Sequence, residues 1–278
     1  MGAAADILRP VWEGSRGLDG YVSLEVNPLL ASDRDTTVSE ARRLFAALGR
    51  PNVMIKIPAT PEGVEAVEAC IAAGVNVNAT LIFSIEQYAS VAEAYIKGLK
   101  ARLAGGGEPV ASVASVFVSR VDTAVDKALS DRGEASLLGH IAVDNARLTY
   151  QRFKDLFAGP EWETLAAKGA RVQRPLWAST GTKNPAYSDV KYVDELIGPD
   201  TVNTIPPATL TAFLDHGKAK ATLENDLDGA RARLKRIEEL GVNLTAVCDT
   251  LLKDGIEAFN GAFRSLMGAI ERKMTEGK

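Results

Sequence analysis

Short, continuously apolar runs alternate along this chain with longer stretches whose apolar residues recur every three to four positions. The short runs predict strands at 22–26, 53–57, 77–83, 113–118, 175–178 and 202–205. The longer stretches predict helices at 37–48, 63–73, 85–103, 121–129, 141–157, 189–196, 208–216 and 223–240, with a last one from 244 to about 271. Asn243 is placed to cap that last helix, and Gly217 to close the one that begins near residue 208. Strand–helix alternation at this spacing predicts a parallel sheet with crossover helices. Strands that are apolar throughout, rather than at every second residue, predict a sheet covered on both faces.

No linker, low-complexity tract or internal repeat divides the sequence, so one domain over 1–278 is expected. Neither a G-x-G-x-x-G turn after a strand nor a G-x-x-x-x-G-K-[ST] loop occurs, which removes the usual grounds for a dinucleotide or nucleoside-triphosphate site. The remaining common plan is an α/β barrel, with its chemistry at the carboxyl ends of the strands. Polar residues gather at those ends: Glu25 and Asn27, Lys56, Asn78 and Thr80, Ser115 and Arg120, Ser179, then Asn203 and Thr204.

Lys56 is the most informative of these, because it interrupts the apolar run Val53-Met54-Ile55-Lys56-Ile57-Pro58. Burial pushes a lysine toward its neutral, nucleophilic form, which a Schiff-base enzyme needs. The alternative is an edge strand whose lysine reaches out to water. Glu25 ends a similar run, and a buried carboxylate there suits proton transfer; a salt bridge to Lys56 or to a loop arginine is the other reading. Asn76, Asn78 and Thr80 share one face of their strand and need partners, either a ligand with waters or a network tying strands together. Ser115 and Arg120 flank the end of the next strand. Arg120 can bind phosphate or pair with Asp122 or Glu25, and Phe117 reads as core. Farther on, Ser179-Thr180-Gly181-Thr182-Lys183 can form an anion cradle, although Lys183 can equally be a solvated loop lysine.

Composition narrows the setting. Of the 278 residues 46% are hydrophobic and 24% charged, which suits a soluble domain with a sizeable core. The net charge of −4 argues against a nucleic-acid surface but leaves room for a small anionic substrate. Cys70 and Cys248 stand in no paired motif, and Cys70 falls on a helix as a small apolar residue. His140 and His216 are too few and too far apart for a histidine-rich metal site. No transmembrane run or secretory leader is seen, so a cytoplasmic protein without membrane or nucleic-acid partners is expected.

Taken in order, these motifs resemble the transaldolase family over nearly the whole chain, the longer bacterial type rather than the short fructose-6-phosphate-aldolase-like branch. The resemblance implies a class I aldolase-type TIM (β/α)8 barrel. It implies Lys56 as the Schiff-base lysine, Glu25 as the acid/base and Thr80 as the holder of a catalytic water. It also implies Asn78 and Ser115 as substrate-orienting groups, with Arg120, Ser179 and, less directly, Lys183 on phosphate. The implied reaction moves a dihydroxyacetone unit from sedoheptulose 7-phosphate to glyceraldehyde 3-phosphate, in the non-oxidative pentose phosphate pathway. A phosphorylated ketose donor and an aldose acceptor are the implied partners. No metal or organic cofactor is required, because the lysine amine supplies the electrophilic catalysis.

The front of the chain departs from the family pattern. The matching strands begin at the family's third and number six of eight, and the residues from Met1 to Pro10 look like the helix before that third strand. The family's first strand carries a catalytic aspartate, and neither Asp6 nor Asp19 stands in a strand. Asn27-Pro28 is similar to the substrate motif of the family's second strand, yet it follows Glu25 and so belongs to the third. An incomplete barrel of six strands is therefore expected, N-terminally truncated relative to the family. Omitted upstream sequence is the favoured explanation; a homodimer or a rearranged strand are other ways to cover the edges. Rival functions are a class I aldolase with another acceptor and an inactive transaldolase-like fragment.

Overall fold

The computed structural model describes residues 1–276. All six expected strands form: β1 (Val22–Glu25), β2 (Val53–Pro58), β3 (Val77–Ile82), β4 (Ser112–Phe117), β5 (Arg174–Ala178) and β6 (Val202–Asn203). They make one parallel sheet whose spatial order is the chain order. The helices before β5 are α1 (Gly2–Gly14), α2 (Arg34–Leu48), α3 (Pro61–Ala72), α4 (Ile85–Ala104), α5 (Ser119–Ser130), α6 (Ile141–Leu156) and α7 (Gly159–Ala166). After it come α8 (Lys191–Asp194), α9 (Pro207–His216), α10 (Leu227–Glu239) and α11 (Leu244–Glu276).

The sheet curls. Side chains from all six strands line one cavity, and the Arg174 guanidinium at the start of β5 donates to the Leu18 carbonyl just ahead of β1. The curl stops short of closure, since among the described residues β1 pairs only with β2 and β6 only with β5. Burial follows from that position: every residue of β3 and β4 is buried, whereas β1 and β6 are half-buried edges. The fold is thus an α/β half-barrel carrying six of a barrel's eight strands.

Side-chain caps fix where the helices start. Asp33 accepts from the amide of Thr36 at 3.0 Å, and Thr60 from that of Gly63 at 2.9 Å. Ser84 and Gln87 cap α4 reciprocally, each accepting the other's backbone N–H at 3.1 Å. Asn243 caps α11 as expected, accepting from Ala246 at 3.0 Å.

Several elements differ from the sequence reading: the helix expected at 189–196 is only Lys191–Asp194, and the one expected at 223–240 starts at Leu227. The Gly159-Pro160 pair starts α7, because a proline in the first turn of a helix lacks only an N–H that would be unbonded anyway. β6 ends at Asn203 rather than running to 205, since Pro206 and Pro207 bring no further donors to a ladder.

The long helix α11 returns to the carboxyl ends of the strands. A Cβ on Gly255 would stand 2.9 Å from Leu81 Cδ2, so only glycine lets the helix lie this close to β3. About two turns earlier, the Cys248 thiol donates to the Phe83 carbonyl at 3.2 Å. Among the described residues no helix is long and apolar enough to cross a membrane.

Candidate active site

Glu25 and Lys56 meet because β1 and β2 place them in register, Cα opposite Cα, on the same face of the sheet. One carboxylate oxygen of Glu25, Oε1, is buried with no hydrogen-bond partner. Burial pushes this carboxyl above its ordinary range, and the attraction of Lys56 only partly offsets that push. Lys56 is itself half-buried. Its Nζ lies 6.0 Å from the ring centroid of Phe259 on α11, at the outer limit of a cation–π contact. The lysine is thus fully enclosed by neither strand nor helix, and one side remains open to a ligand.

A hydrogen-bonded row of small polar side chains runs beside it. Ser115 Oγ on β4 donates to Asn78 Oδ1 at 2.7 Å, and Asn78 Nδ2 donates to Ser23 Oγ on β1 at 3.0 Å. The row bridges over β2, where Lys56 sits in register with Asn78. Thr80 Oγ1 is buried without a partner. Asn76, by contrast, is structural: it donates to the carbonyls of Pro51 and Val53 and accepts from Ala111, which ties three strands at their amino ends. The one-face pattern of β3 therefore divides between the two readings made from sequence.

Just beyond Thr80 the strand is strained. Leu81 takes φ +60, and the β3–β4 register slips between Ala79 and Ile82. A left-handed conformation costs a non-glycine residue about 1–2 kcal/mol, and packing against α11 holds it in place. Ser179, at the end of β5, is left-handed as well, with φ 55.

Lys56, Asn78, Ser115 and Ser23 line a cavity of about 380 Å³ inside the curled sheet. Asp19 lines it too, from the amino-terminal end, where Arg174 Nη2 lies 3.2 Å from its carboxylate. Asp6 is remote, on α1 and paired with Arg50 at 2.7 Å. A cavity of about 440 Å³ opens below the amino ends of β2, β3 and β4, but Asn76, which lines it just ahead of β3, already has its bonds.

Arg120 stands on the first turn of α5, its guanidinium carbon 5.3 Å from the centroid of the buried Phe117 ring. Neither ion pair considered from sequence forms. Asp122 instead accepts from the amide of Ala142 at 2.7 Å and from the Tyr192 hydroxyl at 2.8 Å, and burial lifts its carboxyl to about 6. Ser179 Oγ lies 2.9 Å from the hydroxyl of Ser119, the residue before Arg120 in α5. Lys183 lines a cavity of about 190 Å³ with Asp122, Asp126 and Tyr187, and its Nζ would stand 4.0 Å from a Cβ on Gly181, two residues after Ser179. Among the described residues no three His, Cys, Asp or Glu side chains converge as a metal site.

The strands thus gather Lys56, Glu25, Asn78, Thr80 and Ser115, and Ser179 is bonded to Ser119, next in sequence to Arg120. Sequence reasoning missed Ser23 and Phe259, while Thr204, named there among the polar strand ends, does line the cavity. Ser23 was within reach, since it lies two residues from Glu25 on the same strand. Nothing local pointed to Phe259.

The family model described as "Transaldolase/Fructose-6-phosphate aldolase" matches residues 1–270. Transaldolase 2 of Nostoc sp. (strain PCC 7120) is 49% identical over 98% of this chain and 75% of its own length. The transaldolase of Thermobifida fusca is 47% identical, with the same coverage of both proteins. That of Thiobacillus denitrificans is 48% identical over 96% of this chain and 76% of its own length.

Proposed function

The chain belongs to the transaldolase/fructose-6-phosphate aldolase family and is a transferase of the transaldolase type, and from that premise we propose that Lys56 carries the reaction as a Schiff base. The observation that supports this most is the pairing of Lys56 with a carboxyl group whose buried Oε1 has no partner, beside an open cavity lined with hydroxyl and amide groups.

In its neutral form the Lys56 amine adds to the carbonyl carbon of a phosphorylated ketose. Glu25 in its acid form gives a proton to the departing hydroxyl, and water leaves as the protonated imine forms. Cleavage of the next carbon–carbon bond sends its electron pair into the imine and frees an aldose phosphate, while the hydroxyl that becomes its carbonyl gives its proton to the Glu25 carboxylate. The resulting enamine attacks the acceptor aldehyde, whose oxygen takes up a proton, and water then hydrolyses the new imine. Thr80 Oγ1 and Glu25 Oε1, both without partners, suit a shared water for these transfers. Asn78 and Ser115 orient the sugar hydroxyls. Arg120 and Ser179 hold the phosphate, with Lys183 as an outer contact.

Sedoheptulose 7-phosphate and glyceraldehyde 3-phosphate are the proposed donor and acceptor, and Cys70 and Cys248, both free, fit a cytoplasmic setting. The two free sheet edges favour a homodimer, which sedimentation at micromolar concentration checks.

Borohydride reduction in the presence of fructose 6-phosphate tests the assignment. A reduced three-carbon adduct is expected on Lys56 by mass spectrometry, and Lys56→Ala should lose it while keeping the fold. An adduct on another lysine would sink the reading. Competition between acceptor aldehydes then separates transfer from simple aldol release.

A further inference from the structure

The loop after β5 is fastened to α5 at two heights. At the upper one, the hydroxyls of Ser119 and Ser179 meet beside Arg120. About two turns along α5, Asp126 holds the lower one: its Oδ2 accepts from the Tyr187 hydroxyl at 2.7 Å and its Oδ1 from the amide of Gly139 at 2.9 Å. The Tyr187 ring lies directly on Gly139, where a Cβ would stand 2.7 Å from the ring's Cζ and φ is +74. Lys191 Nζ adds a contact 5.8 Å from the ring centroid. Between the fastenings the loop is braced on itself, Thr182 Oγ1 donating to the Ser188 carbonyl at 2.8 Å and the amide of Ala186 to Asn184 Oδ1 at 2.9 Å.

Lys183 is carried on that braced span and forms no ion pair among the described residues, although Asp122 and Asp126 line the same cavity. A free ammonium on a loop with two fixed ends has its reach set by those ends. We propose that Tyr187 is a positioning residue for phosphate binding: its bond to Asp126 holds the loop so that Lys183 meets the same anion as Arg120 and Ser179. The proposal rests on the phosphate reading given above. Asp126 and Gly139 complete the clamp, one as the acceptor and the other as the space the ring needs.

Tyr187→Phe tests this, because it keeps the ring on Gly139 and removes only the hydroxyl. Loss of one hydrogen bond to a charged acceptor should raise KM for fructose 6-phosphate about 5-fold or more with kcat at saturation unchanged, and should leave turnover of fructose untouched. The inhibition constant of inorganic phosphate should rise by the same factor. In a Lys183→Ala background Tyr187→Phe should add nothing, since it acts through that lysine. An unchanged KM, or equal losses on fructose and fructose 6-phosphate, overturns the clamp. If Tyr187→Phe folds poorly, Asp126→Asn, with one acceptor oxygen for two donors, carries the same expectation. Arg120→Ala run alongside separates the two readings. A phosphate-selective loss there beside an inert Tyr187→Phe defeats the clamp alone, while an unselective loss defeats the phosphate reading and the clamp with it.

Discussion

Glu25 and Lys56 face each other in register across β1 and β2, and the buried Oε1 of the carboxyl has no hydrogen-bond partner. Burial raises the carboxyl above its ordinary value of 4.5, so the folded protein holds this proton to higher pH than the unfolded chain does. The sign follows: stability attributable to Glu25 is complete below 4.5 and falls as pH rises through the folded value. Glu25→Gln removes that loss. Thermal unfolding should show the variant gaining stability over the parent at pH 7 and the gain vanishing at acid pH. Transfer activity should fall by about 10²-fold or more, the usual contribution of a positioned acid–base group.

Arg120→Ala should lower kcat/KM for phosphorylated sugars by about 10- to 100-fold, as expected for a lost charge-assisted bond, and barely alter that for unphosphorylated analogues. Lys183→Ala should show the same selectivity at smaller size. Comparing both variants on fructose 6-phosphate and fructose reads the difference directly, and equal losses on the two sugars would mark Arg120 as structural.

Gly255→Val should push α11 off the carboxyl end of β3, because even a Cβ there would be 2.9 Å from Leu81. Overpacking of this kind costs about 1–3 kcal/mol, measurable as a lower urea midpoint. Phe259 lies one turn farther along the helix, near Lys56, so the rate of borohydride trapping should drop as well.

The two thiols offer a simple check on packing. Burial pushes Cys70 and Cys248 both to about 12, far from the thiolate form at neutral pH. Neither should react with a disulfide reagent in the native protein, and both should after denaturation. Fast labelling of Cys248 alone would mean that α11 lifts from the Phe83 carbonyl.

The parts of the site that were legible in sequence are those set by a single strand. Lys56, Glu25, Asn78 and Thr80 are each polar residues inside apolar runs, and period-two alternation put each on a definite face. What stayed hidden depends on contacts between distant segments. Leu81 takes its left-handed turn where α11 packs against its side chain, and no residue near Leu81 signals that turn. Arg120 had acidic neighbours in sequence, yet helix geometry turned Asp122 toward Ala142 and Tyr192 instead. The helix α7, which opens at Gly159-Pro160, was left unassigned, because the same two residues punctuate loops and open helices.

The sheet's strand order also sets a folding sequence. Each strand pairs with its predecessor in the chain, so β1 to β6 can assemble one crossover at a time, each step closing a loop much shorter than the whole chain. Contacts between α11 and β3 span far more sequence, as the Cys248–Phe83 bond shows. Lys56 and Glu25 therefore reach their places early on a growing chain, while Phe259 arrives only when the last helix folds back. During synthesis Lys56 stays uncovered until that helix docks, so its surroundings are among the first regions placed but the last to be finished.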